Sequence, residues 1–274
     1  MRPRVVSMQT HLLKAYIKIW LKLTAQQFQT QIANSRGAAV LFIFGKLFRL
    51  ASALLLVYVV VGKAKLIAGY SLDQAVLLLM IFNFTQTISQ LFLRGVYIFR
   101  QKVVDGTFDF YLLNPLSELF YSLFSYTDPQ DIIISIPSLF FVGWAWVNAG
   151  YTITLPVILL LLAIVIISML MVTAWHIVII AIGVKYLEVD NTVMLYRDLE
   201  RMGAFPVAIY GKAGENILTY IFPFALMATI PARLIFGMFS PWYLLGFAVL
   251  ALLQLKIALV IWRRALLSYS SASS

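Results

Sequence analysis

RQKVVDGTFDFYLLNPL (Arg100–Leu116) is a charged, amphipathic interruption between two segments with the composition of lipid-embedded helices. Helical spacing over 100–113 predicts an apolar face and a charged face, namely Val104, Phe108, Tyr111 and Leu112 opposite Lys102, Asp105 and Asp109. Asn114-Pro115 would end the helix, because proline disfavours the α conformation in the preceding residue. The stretch therefore predicts a helix held at a membrane surface, provided that the helix continues through Gly106 at a cost of about 1 kcal/mol.

The composition of the 274-residue chain is that of an integral membrane protein. Hydrophobic residues make up 62% of it and charged residues only 12%, too few to cover a soluble globule of this size. The formal net charge of +10 is explained by basic residues that flank membrane spans, so we expect no nucleic-acid partner. The absence of cysteine excludes disulfides and thiolate chemistry.

Hydropathy predicts an all-α fold with six transmembrane helices. We expect residues 1–36 to form a cytoplasmic interfacial helix, 37–264 the six-helix domain and 265–274 a cytoplasmic tail. The predicted spans are 37–61, 74–99, 132–147, 155–184, 216–237 and 242–262. Pro223 and Pro231 interrupt the fifth of these.

Two further segments have amphipathic patterns. Lys14, Lys18 and Lys22 follow one another at four-residue spacing, which predicts a helix that lies on the membrane; packing against the rest of the protein is the alternative. Residues 185–215 form a second polar insert, in which Asp190 or Asn191 would cap a surface helix. Its predicted faces are Val193, Tyr196, Leu199 and Met202 on the apolar side, and Arg197, Asp198, Glu200 and Arg201 on the exposed side.

The distribution of basic residues predicts the orientation. With six spans and both termini inside, 18 of the 21 Lys and Arg fall on the cytoplasmic side. Lys63, Lys65 and Arg233 are the three left outside. This split favours cytoplasmic termini and places both polar inserts in the cytoplasm. The expected location is the plasma membrane, with the bacterial inner membrane as the favoured case.

The second predicted span carries a polar stripe. Asn83, Thr87, Gln90 and Arg94 recur with helical spacing and Gln86 lies beside them. Polar side chains in a span face protein or water rather than lipid. Two interpretations remain open: a wall of a translocation path at a permease interface, or hydrogen bonding between helices of one subunit.

No motif for catalysis or nucleotide binding occurs in the sequence. GxxxxGK[ST], HExxH and GxSxG are absent, and the two histidines are too far apart for a metal cluster. The eleven acidic residues lie in or beside the predicted loops, which argues against a proton-coupled carrier. We therefore expect a chain that is not an enzyme, holds no cofactor and takes its energy from another subunit.

The order of elements resembles the ABC-2 type permease family. The phrases that carry the resemblance are VVDGTFDFYLLNPL with Asp128 and Asp131, Phe205-Pro206 with Tyr210, and YIFPFALMATIPARLIFG (220–237). The resemblance implies a permease subunit of an exporter that works as a dimer with a like or related permease. It also implies two copies of a separate ATPase that binds ATP and Mg²⁺ and docks on the cytoplasmic inserts.

Candidate site residues follow from these patterns and the resemblance. The coupling residues would be Lys102, Asp105, Gly106, Asp109, Asn114, Pro115, Arg197, Asp198 and Arg201. Pro231 and Arg233 are candidates for an outer gate, with Arg233 reaching lipid head groups as the alternative. A membrane scaffold that binds another partner remains the main alternative function, and a lipid-modifying enzyme is a third.

Overall fold

The computed structural model describes residues 2–34, 36–64, 66, 68–186 and 189–269, and these residues are helical apart from short connections. The α-helices are α1 (Arg2–Asn34), α2 (Arg36–Ala64), α3 (Leu72–Leu93), α4 (Phe99–Val104), α5 (Thr107–Leu113), α6 (Glu118–Phe124), α7 (Pro129–Asn148), α8 (Leu155–Tyr186), α9 (Val189–Arg201), α10 (Gly211–Asn216), α11 (Phe224–Met227), α12 (Thr229–Ile235) and α13 (Tyr243–Leu267). The prediction of an all-α membrane fold is confirmed. The end of the predicted tail, 270–274, lies outside the described residues.

Five helical stretches are long and apolar enough to cross a membrane in the part of the chain that the structure describes. They are Val40–Val60, Leu72–Val104, Gln130–Asn148, Leu155–Tyr186 and Tyr243–Leu267. Each coincides with a predicted span, and Leu72–Val104 is longer than expected because a 3₁₀ turn at Arg94–Ile98 joins α3 to α4. The predicted span 216–237 has no counterpart among them.

The bundle has two ends that can be told apart by their side chains. We call the end around Lys46, Arg94 and Asp131 the charged end, because ion pairs there join α2 and α7 to the 3₁₀ turn that follows α3. We call the opposite end, around Tyr70 and Tyr151, the far end. A capping box fixes the start of α3 at the far end: Ser71 and Gln74 exchange side-chain and backbone hydrogen bonds. The Gln74 amide also donates to the Tyr151 hydroxyl at 2.7 Å.

The predicted continuous helix over 100–113 is wrong, because the chain breaks at Gly106. Gly106 adopts φ +75°, a left-handed conformation that glycine alone reaches cheaply, and it separates α4 from α5. The break rotates the faces, so that Val104 and Leu112 are exposed while Phe108 is fully buried. The segment is therefore two short helices with a hinge.

The predicted second surface insert is also placed differently. Its helix α9 begins by Val189, before the predicted caps Asp190 and Asn191. It runs antiparallel to α3: Arg197 lies over the Tyr97 ring and Gly203 packs against Phe82, farther from the charged end. Helix α9 therefore leads from the charged end into the bundle. Val193 and Tyr196 are buried as predicted.

Residues 211–237 form a hairpin that starts and finishes at the far end, so the prediction of one spanning helix is wrong. Glu215 and Phe236 both lie near Tyr70, Glu215 through its bond to Arg233. Between them the chain descends through a π-helical turn (Ile217–Ile221) and reverses at Phe222-Pro223. Proline cannot continue a hydrogen-bonded helix, which explains the reversal.

Side chains of neighbouring helices satisfy the backbone groups freed at the hairpin tip. The Trp175 indole donates to the Ile221 carbonyl at 2.7 Å. The Gln254 amide donates to the Tyr220 and Ile221 carbonyls at 2.9 and 3.1 Å. Non-helical backbone inside a membrane protein requires such partners, because lipid offers none. The hairpin is thus an integral part of the core.

Helix α1 packs across the bundle on aromatic contacts. Tyr16 meets Phe120 edge to face at a centroid distance of 4.8 Å, and Trp20 meets Phe92 at 5.4 Å. Lys14, Lys18 and Lys22 are all exposed on the opposite side of the helix. The helix therefore packs on the protein and also presents the basic face that its sequence predicts.

Candidate functional site

A four-residue ion-pair cluster joins three helices at the charged end. Arg94 reaches Asp131 at 2.7 Å and Asp128 at 3.2 Å, and Lys46 pairs with Asp131 and lies 3.9 Å from Asp128. The Asp128 side chain also caps α7 by accepting from the backbone amide of Gln130. The aspartate side chains are 7% and 3% exposed, so their charges are compensated inside the protein rather than by solvent.

The predicted polar stripe on α3 divides into two groups. The Asn83 and Thr87 side chains donate to backbone carbonyls within α3, at 2.8 and 2.7 Å. The Gln86 amide donates to Glu200 of α9 at 3.1 Å, which is a contact between helices. All five stripe positions nevertheless lie on cavities: Asn83, Gln86, Thr87 and Gln90 line an enclosed recess, and Gln90 and Arg94 line the cleft outside it.

The basic cleft, as we call it, is the open cavity of about 460 Å³ between α2, α3 and α9. Its lining comprises Leu41, Phe42, Gly45, Lys46, Arg49, Gln90, Arg94 and Arg197. Four of these side chains are cationic, and none of the lining residues is acidic. Arg201, which forms an exposed salt bridge with Asp198, lies close enough to Arg49 for their like charges to repel each other.

The acidic groups near the basic cleft lie behind its surface. Glu200 is 2% exposed and accepts from Gln86, although the sequence predicts it on the exposed face of its helix. That prediction is wrong because Glu200 lies four positions after Tyr196 and seven after Val193, and so shares their buried face of α9. The spacing within α9 carries the signal that could reveal it, because side chains at i, i+3 and i+7 share one face of a helix.

The hinge at Gly106 presents α5 at the charged end. Phe108 anchors α5 by ring contacts to Phe99, Trp262 and Tyr269, at centroid distances of 5.3, 6.2 and 5.0 Å. Phe110 and Leu113, on the other side of α5, are 68% and 82% exposed. Helix α5 is thus anchored on its inner side and carries exposed apolar side chains on the other.

The two aspartates of this region have different surroundings. The Asp105 carboxylate accepts hydrogen bonds from the side chain and backbone amide of Thr107, which lowers the pKa of Asp105 below its usual value. Asp109 accepts from the Tyr269 hydroxyl at 2.9 Å. Burial, with this bond to Asp109, raises the pKa of Tyr269 to about 12. Asp109 is therefore bonded to a residue distant in sequence, whereas Asp105 is bonded to the nearby Thr107 and is exposed to solvent.

The other predicted coupling residues lie at two places. Asn114 and Pro115 are exposed at the end of α5, and Lys102 is half-buried in α4. Arg197 lies in the basic cleft, with Asp198 and Arg201 on the exposed side of α9. The predicted set thus comprises a group on α4 and α5 and a group on α9.

Arg233 does not reach outward to head groups. Its guanidinium donates to the Glu215 carboxylate at 2.7 Å and to the Tyr70 hydroxyl at 3.1 Å, which ties the hairpin to the start of α3. Pro231 is buried in the first turn of α12, where proline is tolerated. In the part of the chain that the structure describes, no group of His, Cys, Asp and Glu side chains could hold a metal ion.

Comparison with known families identifies the fold that these helices build. No curated protein and no solved structure matches the chain. A family model described as ABC-2 family transporter protein matches residues 47–273, which include α3 to α13 and most of α2. The chain therefore belongs to the ABC-2 transporter family, as a multi-pass membrane protein.

Proposed function

We propose that the chain is the permease subunit of an ATP-driven exporter, and that α5 docks on a separate ATPase. Membership of the ABC-2 family supports this function, since such permeases normally work with an ATPase partner. The observation that carries the docking step is the exposure of Phe110 and Leu113 on a helix anchored by Phe108. Exposed apolar side chains on an ordered helix are typical of a protein interface.

The charged end is the cytoplasmic end in this proposal. Basic side chains concentrate there: Lys46 and Arg94 lie in the ion-pair cluster, and Arg263 and Arg264 are exposed at the end of α13. A bias of Lys and Arg toward the cytoplasm orients membrane proteins. Helix α5 belongs to the same end, because Phe108 contacts Trp262. The end of α13 and helix α5 therefore face the compartment that holds ATP.

A second permease faces the basic cleft in the assembled exporter, with the translocation path between the two subunits. Only 6% of the residues in the most apolar part of the Val40–Val60 stretch are buried, so α2 contributes little to the core of one subunit. The cleft beside it is lined by cations, which do not face lipid without a large cost. Pairing of two permeases along α2 would place this polar surface between the subunits. The second permease is the same chain or a related one.

Double substitution of the exposed residues of α5 tests the proposed function. Phe110→Glu with Leu113→Glu should abolish co-purification with the partner ATPase, because burial of such side chains contributes roughly 1.5–3 kcal/mol each. Stimulation of ATP hydrolysis by the permease should be lost with it. Membrane insertion should persist, since both residues are exposed in the folded chain.

Two further variants separate docking from general damage. Met238→Glu introduces a charge at a residue that is 63% exposed near the far end, and it should leave ATPase binding unchanged. Asp105→Lys tests the charged side of the hinge without disturbing the bond between Asp109 and Tyr269. Wild-type ATPase binding by the Phe110/Leu113 variant would refute the docking step. A wild-type chain that binds no ATPase would favour a scaffold.

A further inference from the structure

The cations of the basic cleft are not all neutralised by the protein. Lys46 and Arg94 share the carboxylates of Asp128 and Asp131. Neither Arg49 nor Arg197 has an acidic group within ion-pair distance among the described residues, and Arg197 lies 5.4 Å from the centroid of the Tyr97 ring. The cleft thus carries two guanidinium groups that no carboxylate of the described residues pairs directly, and the buried Glu200 attracts both only at longer range.

The geometry separates the opposite charges. The carboxylates lie in the protein interior, where the side chains of Asp128 and Asp131 are 7% and 3% exposed, whereas Arg49 is exposed. Arg49 also lies within the Val40–Val60 candidate span, away from the helix ends at which long side chains reach water easily. A cation at such a depth requires a water-filled cavity or a bound anion. The cleft supplies the cavity.

The chemistry of the arginine side chain indicates which anion would fit. Guanidinium groups bind phosphate and carboxylate through two parallel hydrogen bonds, a geometry that lysine and polar uncharged side chains do not provide. Arg49 and Arg197 line the same cleft from α2 and α9. One anionic group between them would receive donors from both helices.

An apolar surface continues from the basic cleft along α2. Leu41 and Phe42 form part of the lining and are 74% and 60% exposed. The remainder of α2 presents further exposed apolar side chains, Phe44, Leu47, Phe48, Leu55 and Leu56. A ligand with a charged head in the cleft could therefore lay an apolar tail on α2 without leaving the membrane.

We propose that the basic cleft binds the anionic head group, of phosphate or carboxylate type, of an amphiphilic cargo whose apolar tail lies along α2. The role of this ligand as cargo rests on the proposed permease function, but its binding does not. Arg49 and Arg197 hold the head group, and Lys46 and Arg94, already paired with aspartates, add long-range attraction. Gln90 supplies an uncharged hydrogen-bonding group at the floor.

Binding of defined probes to the full-length chain in phosphatidylcholine nanodiscs tests this site. The probe is a fluorescent alkyl phosphate, and the competitors are an unlabelled alkyl phosphate, an uncharged alkyl glycoside, an alkyl ammonium and inorganic phosphate. We expect displacement by the alkyl phosphate alone at low concentration. Equal displacement by the glycoside or the ammonium would overturn the anionic site, and equal displacement by inorganic phosphate would overturn the amphiphilic ligand.

Arginine variants locate the binding. Arg49→Gln with Arg197→Gln should weaken alkyl phosphate binding by about tenfold or more for each guanidinium, since a hydrogen bond to a charged group contributes at least that factor. Arg49→Lys with Arg197→Lys keeps the charge and should recover part of the loss. The matched control is Arg263→Gln with Arg264→Gln, which removes the same charge from exposed positions on α13 and should leave binding unchanged. Equal losses in the control and cleft variants would overturn the proposal.

Co-purification with the ATPase separates this proposal from the proposed function. If the alkyl phosphate binds through Arg49 and Arg197 but no ATPase associates, the anion site stands and the permease function fails. If the ATPase associates and its turnover depends on the chain, yet the alkyl phosphate does not bind, the anion site fails alone. Circular dichroism of each variant, compared with the wild type, shows whether the helices are retained.

Discussion

Substitution of Arg94 by glutamine should destabilise the bundle strongly. Arg94 is bonded to both Asp131 and Asp128, at 2.7 and 3.2 Å, and the aspartate side chains are 3% and 7% exposed. Removal of one partner from a buried ion pair costs about 3–5 kcal/mol, because the remaining charge is left without compensation. Lys46 stays in contact with both carboxylates, so we expect the lower part of that range.

Thermal unfolding of the purified chain in detergent measures this cost. With an unfolding entropy of about 2.1 cal/mol/K per residue, a loss of 3–5 kcal/mol lowers the Tm by roughly 5–9 °C. Asp198→Asn is the matched control, since it breaks a salt bridge whose side chains are 67% and 63% exposed. Exposed pairs contribute about 0–1 kcal/mol, so the Tm of this variant should change by less than about 2 °C.

A double-mutant cycle with Asp131→Asn tests the coupling between the two side chains. If the pair acts as a unit, the double variant should be more stable than the sum of the two single losses predicts. Equal Tm values for Arg94→Gln and Asp198→Asn would refute the reasoning, because the cluster would then contribute no more than a solvated surface pair. Additive losses would refute the direct interaction between Arg94 and Asp131.

Two other predictions concern helix packing and can use the same unfolding measurement. Gly95→Ala would bring a methyl group to 2.7 Å from the Leu123 carbonyl oxygen and should cost about 1–3 kcal/mol of unfolding free energy. Gly143→Ala is the control: nothing lies within 4 Å of the added methyl group, so the change should be neutral or stabilising by up to about 1 kcal/mol. Equal effects of the two substitutions would contradict the close approach at Gly95. Trp175→Phe removes a donor to the Ile221 carbonyl and should cost about 1 kcal/mol, and an unchanged Tm would show that this bond does not hold the hairpin.

Local patterns predict the parts of the fold that depend on local chemistry. Six apolar stretches are predicted to span a membrane, and five of them coincide with helical stretches long and apolar enough to do so among the described residues. The buried face of α9 at Val193 and Tyr196 also followed from helical spacing. The break at Gly106 was less predictable, since glycine can be tolerated inside a helix or can end it. Its cost inside a helix is only about 1 kcal/mol relative to alanine, which tertiary packing can outweigh.

The candidate site was predictable only in part. The stripe from Asn83 to Arg94 indicates a polar surface, but its partners come from α2, α7 and α9. Arg94 and Asp131 are 37 positions apart, and Lys46 and Asp131 are 85 apart, so no local pattern relates them. Arg49 and Arg197 become neighbours of one cleft only because α9 folds back along α8 and over the Arg94–Ile98 turn.

The sequence by itself determined that this protein is helical, embedded in a membrane and without a nucleotide-binding motif of its own, because hydropathy and helical periodicity act over single turns and single spans. Only the tertiary structure decided that 211–237 folds back as a hairpin, that Glu200 accepts from Gln86 and that four cations line one cleft. Those features depend on which helices meet, and helix contacts are selected by the sum of packing and paired charges across the whole bundle.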